Sequence, residues 1–400
     1  MEILIEFYDK DVLKNIVAPL TLRPKKVIFF YDRGMQDILA FTSIKKCLER
    51  NIPEIKVEQY PVDINAVDKI FHQIVRIFDA NSYVKSAIDL TGGSELMILA
   101  GYKAGTSLEL PLLHTDLINK KIIDIADNSL VANTVNLTLE DFVDAKGACL
   151  FGESHQPPSK ERYDTIKEMA RFLFERLFQW KYTCSFLQTV AAKTTPNELF
   201  IQSKWNIPMK NDRSVYPDRA ILEKLEALGF IQNLSIRDND DVQFHFSSIK
   251  DKQYCINYGV WLELYVYIAA KEAGVFHDVK LGTMIDWNAY DNAVIAGNEI
   301  DVLLMDGSIP VFISCKLKDA DTAALNELLI ARKRLGGWFS KGIMVTFSKD
   351  KNIHTGTYKR AHELGLELLD GTDVMADNFK ERLAKSIQDH DLVGMKWIKV

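Results

Sequence analysis

The chain has 400 residues, 47% hydrophobic and 26% charged, which excludes a disordered or fibrous protein and accommodates two or three domains with separate cores. Its net charge of -6 excludes bulk attraction to nucleic acid or to an anionic membrane, but not a local basic groove. The five cysteines, Cys47, Cys149, Cys184, Cys255 and Cys315, form no CxxC pair, so neither a zinc cage nor a disulfide framework is indicated. The opening MEILIEFYDK lacks the basic and small-residue segments of a secretory signal, and no stretch is apolar for long enough to span a bilayer. A reduced, cytoplasmic protein is expected.

Residues 1–114 alternate short apolar runs with helical patterns. Strands are predicted at 3–7, 26–30, 55–60 and 84–90, with helices at 12–20, 36–50 and 65–79 between them. This rhythm predicts a mostly parallel sheet with helices on both faces, an α/β fold. After the fourth strand comes DLTGGSELMILAGYKAG, in which Gly92-Gly93 permits close backbone approach and Ser94 caps a helix from Glu95 to Ala104. Amides at such a helix start attract phosphate, although a Gly-rich turn that only caps a helix has the same composition. Neither a Walker A lysine nor GxGxxG after the first strand is present.

Three segments together resemble a CRISPR-associated Rossmann fold sensor domain. They are Tyr8-Asp9-Lys10 at the first strand's tip, Arg23-Pro24-Lys25-Lys26 before the second strand, and Thr91-Gly92-Gly93-Ser94 after the fourth. The resemblance implies a homodimer whose two sensors share a cyclic oligoadenylate across a two-fold axis. It places Asp9, Lys10, Thr91, Gly92, Gly93, Ser94 and Glu95 at the ligand, with Glu95 turned from the anion.

Residues 112–145 suit a closing hairpin of the first sheet, where His114 reads as a ligand contact or an ordinary surface histidine. The polar GESHQPPSK predicts a boundary near 152–160, giving a Rossmann-like sensor over 1–150, a connector over 160–250 and a third domain over 251–400. A helix is expected over 162–180, its aromatics Phe172, Phe174, Phe178 and Trp180 serving packing. Helices near 198–203 and 218–228, then strands at 230–236 and 242–246 about Asn239-Asp240, outline a winged helix. Glu223 and Glu226 beside Arg219 and Lys224 favour a connector over a DNA reader.

The segment 257–274 reads as one helix with Glu263 amid apolar residues, either a solvent-facing acid or a site residue. A strand at 280–284 follows, and then GNEIDVLLMDGSIPVFISCK, two apolar runs about Asp306-Gly307, reads as a hairpin that brings Asp301 and Lys316 to the same end. A surface ion pair would explain these two charges alone. Helix acid, strand, Asp301, turn, Lys316 and helix 322–335 make up the order of a PD-(D/E)xK nuclease core. GVWLELYVY, NEIDVLL and VFISCK resemble CRISPR ancillary nucleases activated by cyclic oligoadenylate, which join the sensor to a restriction-endonuclease-like domain.

That resemblance implies metal-dependent cleavage of DNA or RNA in type III CRISPR antiviral defence, with Mn²⁺ or Mg²⁺. It makes Glu263 the helix acid, Asp301 the central metal ligand and Lys316 the catalytic lysine, with Asn298 and Glu299 in support. Where the general pattern has an acid two positions before the lysine this chain has Ser314, a weak neutral ligand, so Asp301, the Cys315 backbone carbonyl, waters and substrate are expected to share the cation. Arg332, Lys333, Arg334 and Lys341 read equally as a phosphate-binding patch or a basic helix end. The rivals are a ligand-responsive winged-helix regulator that does not cut, and a repair or restriction nuclease without a cyclic-nucleotide switch.

Overall fold

The computed structural model describes residues 1–34, 38–80, 84–208, 214–237, 241–286, 297–347 and 354–389. The first domain runs β1 (Ile3–Phe7), α1 (Leu13–Leu22), β2 (Lys26–Asp32), α2 (Ile38–Asn51), β3 (Lys56–Val62), α3 (Val67–Ala80), β4 (Ser86–Asp89), α4 (Glu95–Ser107) and β5 (Leu112–Asp116). The meander is completed by β6 (Lys121–Asp124) and β7 (Leu130–Asn133). The sheet order is β3-β2-β1-β4-β5-β6-β7, with β1 to β5 parallel and the last two strands antiparallel. Strand order therefore reverses between β1 and β4, and in such sheets ligands bind outside the carboxyl ends of the strands at that point. The expected α/β sensor architecture is what the chain adopts, with two closing strands after β5 where one hairpin partner was expected.

After α5 (Leu139–Ala145), β8 (Cys149–Glu153) leaves the sensor and pairs antiparallel with a strand of the last domain. The segment read as a polar boundary thus begins inside a strand. The connector contains α6 (Tyr163–Phe174), α7 (Leu177–Ala191), β9 (Phe200–Lys204), the short pair β10 (Ile207–Pro208) and β11 (Ser214–Val215), α8 (Arg219–Ala227), β12 (Ile231–Ile236) and β13 (Asp241–Phe246). The order β12-β13-β9 is that of a winged helix. The helix expected over 198–203 is instead β9: Ile201 is buried between exposed Phe200 and Gln202, a two-residue alternation that pairs with β13. The helix expected over 162–180 is split at Glu175 and Arg176, and Phe174 and Trp180 are fully buried as packing residues, whereas Phe178 is 70% exposed. The Asn239-Asp240 turn lies outside the described residues.

The last domain comprises α9 (Ile249–Ile256), α10 (Val260–Glu272), β14 (Asp278–Asp286), β15 (Gly297–Asp306), β16 (Ile309–Lys316), α11 (Thr322–Ala331), β17 (Lys341–Thr346), α12 (His354–Glu363), β18 (Glu367–Leu369), α13 (Gly371–Val374) and α14 (Phe379–Gln388). Its sheet order is β18-β17-β16-β15-β14-β8. Helix α11 continues into a π turn at Arg332–Gly336. The predicted hairpin is present, with Val302 opposite Ile313 and Asp306 opposite Ile309, and Gly307 at φ +64 supplies the left-handed turn position.

Sensor and last domain share one apolar cluster, in which Leu4, Leu13 and Phe29 join Leu303, Phe312, Leu325 and Leu328. The sensor also grips the turn of the β15–β16 hairpin. Lys120 pairs with buried Asp306 at 2.5 Å, the Leu137 amide donates to the Gly307 carbonyl at 3.1 Å, and Ser308 Oγ donates to the Val135 carbonyl at 2.7 Å. Rigid strands then carry that anchorage to the opposite end, where Asp301 and Lys316 lie.

Candidate functional site

At the sensor's switch point the β1 tip and the β4 turn are tied together. Asp9 accepts from its own loop through the Asp11 amide at 2.8 Å, from the Gly93 amide at 3.3 Å and from Lys14 Nζ at 2.9 Å, while Asn15 bonds both its amide and its carbonyl. Thr91 donates its amide and hydroxyl to Asp89, and its hydroxyl accepts from the Thr115 amide at 2.7 Å. Ser94 caps α4 by accepting from the Met97 amide at 3.3 Å, so the helix directs its positive end at the crevice. The glycines serve β1 itself: a Cβ on Gly92 would meet the Phe7 carbonyl oxygen at 2.7 Å, and one on Gly93, whose φ is +92, would meet Phe7 Cβ at 2.5 Å.

Asp9, Thr91, Gly92, Gly93 and Ser94 therefore converge, and Lys10 and Glu95 lie exposed beside them. Lys14, in the first turn of α1, is a cation of this site that sequence reasoning missed, since an isolated lysine on an apolar helix carries no signal. Partial burial of the His114 ring lowers its pKa from the ordinary histidine value, with Asp116 opposing and Lys14 adding to the effect. The basic segment is elsewhere: Lys25 and Lys26 pair with Glu2 and Glu58 at the other end of the strands, because Lys26 opens β2 opposite Ile3.

In the last domain, a cleft of about 180 Å³ is lined by Glu299, Asp301, Ser314, Lys316 and Glu327. Asp301 Oδ2 accepts from the Cys315 amide at 2.6 Å and Ser314 Oγ at 3.2 Å, and lies 3.8 Å from Lys316 Nζ. Cys315 reaches Asp301 through its amide, while its thiol is buried, and that burial pushes its pKa up. Glu263 projects from the first turn of α10, and burial, reinforced by Asp301 and Glu299, raises its pKa to about 8. Burial also raises that of Asp301, with Lys316 and the Cys315 amide opposing. Burial disfavours the Lys316 ammonium, but Asp301, Cys315, Glu327 and Glu263 together outweigh it and hold its pKa above the ordinary lysine range. Lys316 is thus a standing cation rather than a resting general base.

His155 completes this cleft and was not singled out in the sequence. Its Nε2 lies 3.8 Å from Glu263 Oε2 and accepts from Asn257 Nδ2 at 3.2 Å. Burial holds its pKa below the ordinary histidine range, favouring neutral imidazole. One ligand atom each from His155, Glu263 and Glu299 lies within 4.8 Å of the others. Glu263 Oε2 and His155 Nδ1 are buried without a hydrogen-bond partner among the described residues. Orphaned buried polar atoms in a carboxylate and imidazole cluster fit a divalent cation. Arg332 and Lys341, in contrast, turn inward onto carbonyls of Gly365, Ile387 and Asp389, which removes both from the phosphate-binding reading.

Residues 250–389 match the family described as Card1-like, endonuclease domain. Over that span, which is the C-terminal domain, the chain is similar to Card1-like endonuclease domains. Across the whole chain the fold is that of protein VC1899 from Vibrio cholerae, at 16% identity and a TM-score of 0.77, covering 97% of this chain and 98% of that one. Can2 from Sulfobacillus thermosulfidooxidans, solved in complex with cyclic tetra-adenylate, shares it at 14% identity and a TM-score of 0.69, covering 97% of both chains. Among curated protein sequences none matches this chain. The same fold thus runs over nearly the whole length of this chain and of both solved structures. No helix among the described residues is long and apolar enough to cross a membrane.

Proposed function

We propose that this chain is a cytoplasmic, metal-dependent nuclease of type III CRISPR antiviral defence, cutting DNA or RNA when a cyclic oligoadenylate occupies its sensor. The observation that carries the reading is Asp301 beside Lys316 and facing Glu263 in a buried cleft of the Card1-like endonuclease domain. In the proposed mechanism Glu263 and Asp301 hold Mn²⁺ or Mg²⁺, with Glu299 and the Cys315 carbonyl in support. The cation when bound polarises a phosphate oxygen and lowers the pKa of water. Lys316 stabilises charge gathering on the phosphate, and Ser314 fixes the Asp301 carboxylate through its hydroxyl.

The ligand proposed for the sensor is cyclic tetra-adenylate, the ring bound by Can2. Asp9, Lys10, Thr91, Gly92, Gly93, Ser94 and Glu95 supply the rim, and Lys14 supplies positive charge behind Asp9. A homodimer is proposed because α4 exposes Leu96, Leu99 and Tyr102 beside the crevice, an apolar stripe suited to a second copy around a symmetric ring. Control over cutting has a physical route: Asp11, two residues past Asp9, accepts from the Trp338 amide at 3.0 Å, directly after the π turn that continues α11. A DNA-reading connector is disfavoured because Arg219 and Lys224 of α8 are paired with Glu223 and Glu168.

The test is cleavage of single- and double-stranded DNA and RNA with Mn²⁺ or Mg²⁺, with and without cyclic tetra- and hexa-adenylate. Activator-dependent cutting lost in D301A and K316A is expected. Sequence-specific binding without cleavage would support the regulator instead, and full activity without activator would support an unswitched nuclease.

A further inference from the structure

We propose that the sensor carries a second binding site, a cationic groove between α3 and the edge strand β3 that takes a single strand of nucleic acid by its phosphates. The groove has a volume of about 700 Å³ and is lined by Arg33, Tyr60, Lys69, His72, Gln73 and Arg76 among others. It shares no residue with the crevice at Asp9 or with the cleft at Asp301. Binding there needs neither metal nor activator, and so stands apart from the proposed cleavage.

The apolar spacing of α3 places these cations. Ile70, Ile74 and Ile77 are buried in the core that the helix shares with the sheet, which turns Lys69, Gln73 and Arg76 out along one flank. Asp68 faces the other flank, where Lys103 of α4 donates to it at 2.8 Å and lies over the Phe71 ring, 4.9 Å from its centroid. Arg33 closes the groove from beyond the end of β2, its amide donating to the Val62 carbonyl at 2.8 Å. Asp63, also in the lining, turns its carboxylate to the Asn65 amide at 3.1 Å. Arg33, Lys69 and Arg76 thus have no ion-pair partner among the described residues, whereas Lys14, Lys25, Lys26 and Lys103 of the same domain are each paired. In a chain of net charge -6, such a local concentration of uncompensated cations draws a polyanion against the overall field.

The spread of charge selects the ligand. Lys69 and Arg76 stand about 10 Å apart along the helix axis, so they do not converge on one anion but meet successive charges of a chain. An acidic peptide would gain most by adding a strand to β3, and Pro61 in the groove wall has no amide to offer it. Tyr60, stacked on Phe30, and His72, braced edge-on by Phe71, present flat rings to unpaired bases. A concave site within the range of about 300–1,000 Å³ that holds small ligands admits part of one strand rather than a duplex.

The experiment follows fluorescein-labelled single-stranded DNA and RNA by anisotropy, with the full chain in chelator and without activator. Binding is expected to weaken at least about 10-fold in K69A/R76A and to be retained in K69R/R76K, which keeps both charges. It should also be unchanged in K181A, which removes an exposed lysine of the connector. The slope of log affinity against log salt is expected to fall by about 0.7 for each cation removed. Unchanged affinity in K69A/R76A, or equal weakening in K181A, would overturn the site. Displacement of the strand equally well by adenosine triphosphate would make it a mononucleotide site, and by polyglutamate a peptide site, and either would overturn the strand assignment. Activated cleavage that persists after such a result would leave the nuclease reading standing. Strand binding lost only in K69A/R76A, with no cleavage of any nucleic acid by the wild type, would keep the groove and overturn the nuclease reading.

Discussion

The two ends of this molecule treat polar groups in opposite ways. At the sensor's strand tips Asp9, Asn15, Asp89, Thr91 and Thr115 bond to one another, so the crevice keeps its shape from within. In the endonuclease cleft, Glu263 and His155 each bury a polar atom without such a partner among the described residues. The first arrangement is a preformed frame to which a ligand adds contacts, and the second is a set of groups whose desolvation is offset only when a cation arrives. Binding and chemistry are thus separated: the frame can sense, while the cleft stays electrostatically unfavourable until loaded.

The sharpest way to break this contrast is at the cleft. D301A and K316A are expected to lower activated cleavage by about 10³-fold or more, since each removes charge that acts on the reacting phosphate. Equal loss of cyclic tetra-adenylate binding in those variants would mean that the two ends are not separable. Next comes the joint between them. D11A removes the acceptor of the Trp338 amide and is expected to reduce stimulation by activator about 5- to 100-fold, with calorimetric Mn²⁺ affinity unchanged. Stimulation equal to wild type would show that the signal travels through the hairpin turn held by Lys120, Leu137 and Val135 instead.

A smaller effect is expected in the frame. K14M leaves the Asp9 carboxylate without its ammonium partner, and binding of cyclic tetra-adenylate should weaken about 10-fold in a titration at fixed salt. Unchanged binding would place the ligand away from Asp9.

The mildest expected effect is on stability. Glu6, buried on β1 without a hydrogen-bond partner among the described residues, has its pKa raised well above the usual carboxylate range by burial and by Asp89, and burial raises that of Asp89 itself to about 6. As pH rises past the ordinary carboxylate pKa the unfolded chain loses these protons while the folded chain keeps them, so both groups make stability fall with rising pH. For Asp89 that fall spans roughly pH 4 to 6, and for Glu6 it continues higher. E6Q cannot ionise, and its melting temperature should decline less steeply with pH than that of wild type. Identical slopes would mean that Glu6 is not held protonated.

Much of this was legible along the chain because it is written in local patterns. The βα rhythm of residues 1–114, the Gly92-Gly93 turn and the hairpin about Gly307 depend on periodicity and on backbone freedom, which short windows carry. Phe200 to Lys204 misled as a helix because only its pairing with β13 selects the strand. The split at Glu175 and Arg176 follows from packing Phe174 and Trp180 into one core, which the continuous helical pattern concealed.

The sequence by itself determined the order of the elements and the cluster of Asp301, Ser314 and Lys316, since strand pairing about a tight turn leaves little choice of register. Only the tertiary structure decided that His155, more than a hundred residues before Glu263, enters the same cleft, and that Asp11 of the sensor holds the backbone at Trp338. Those contacts come from strap and loop segments whose course is set by packing between domains. Their amino acids carry no periodic signal, so only the assembled core places them.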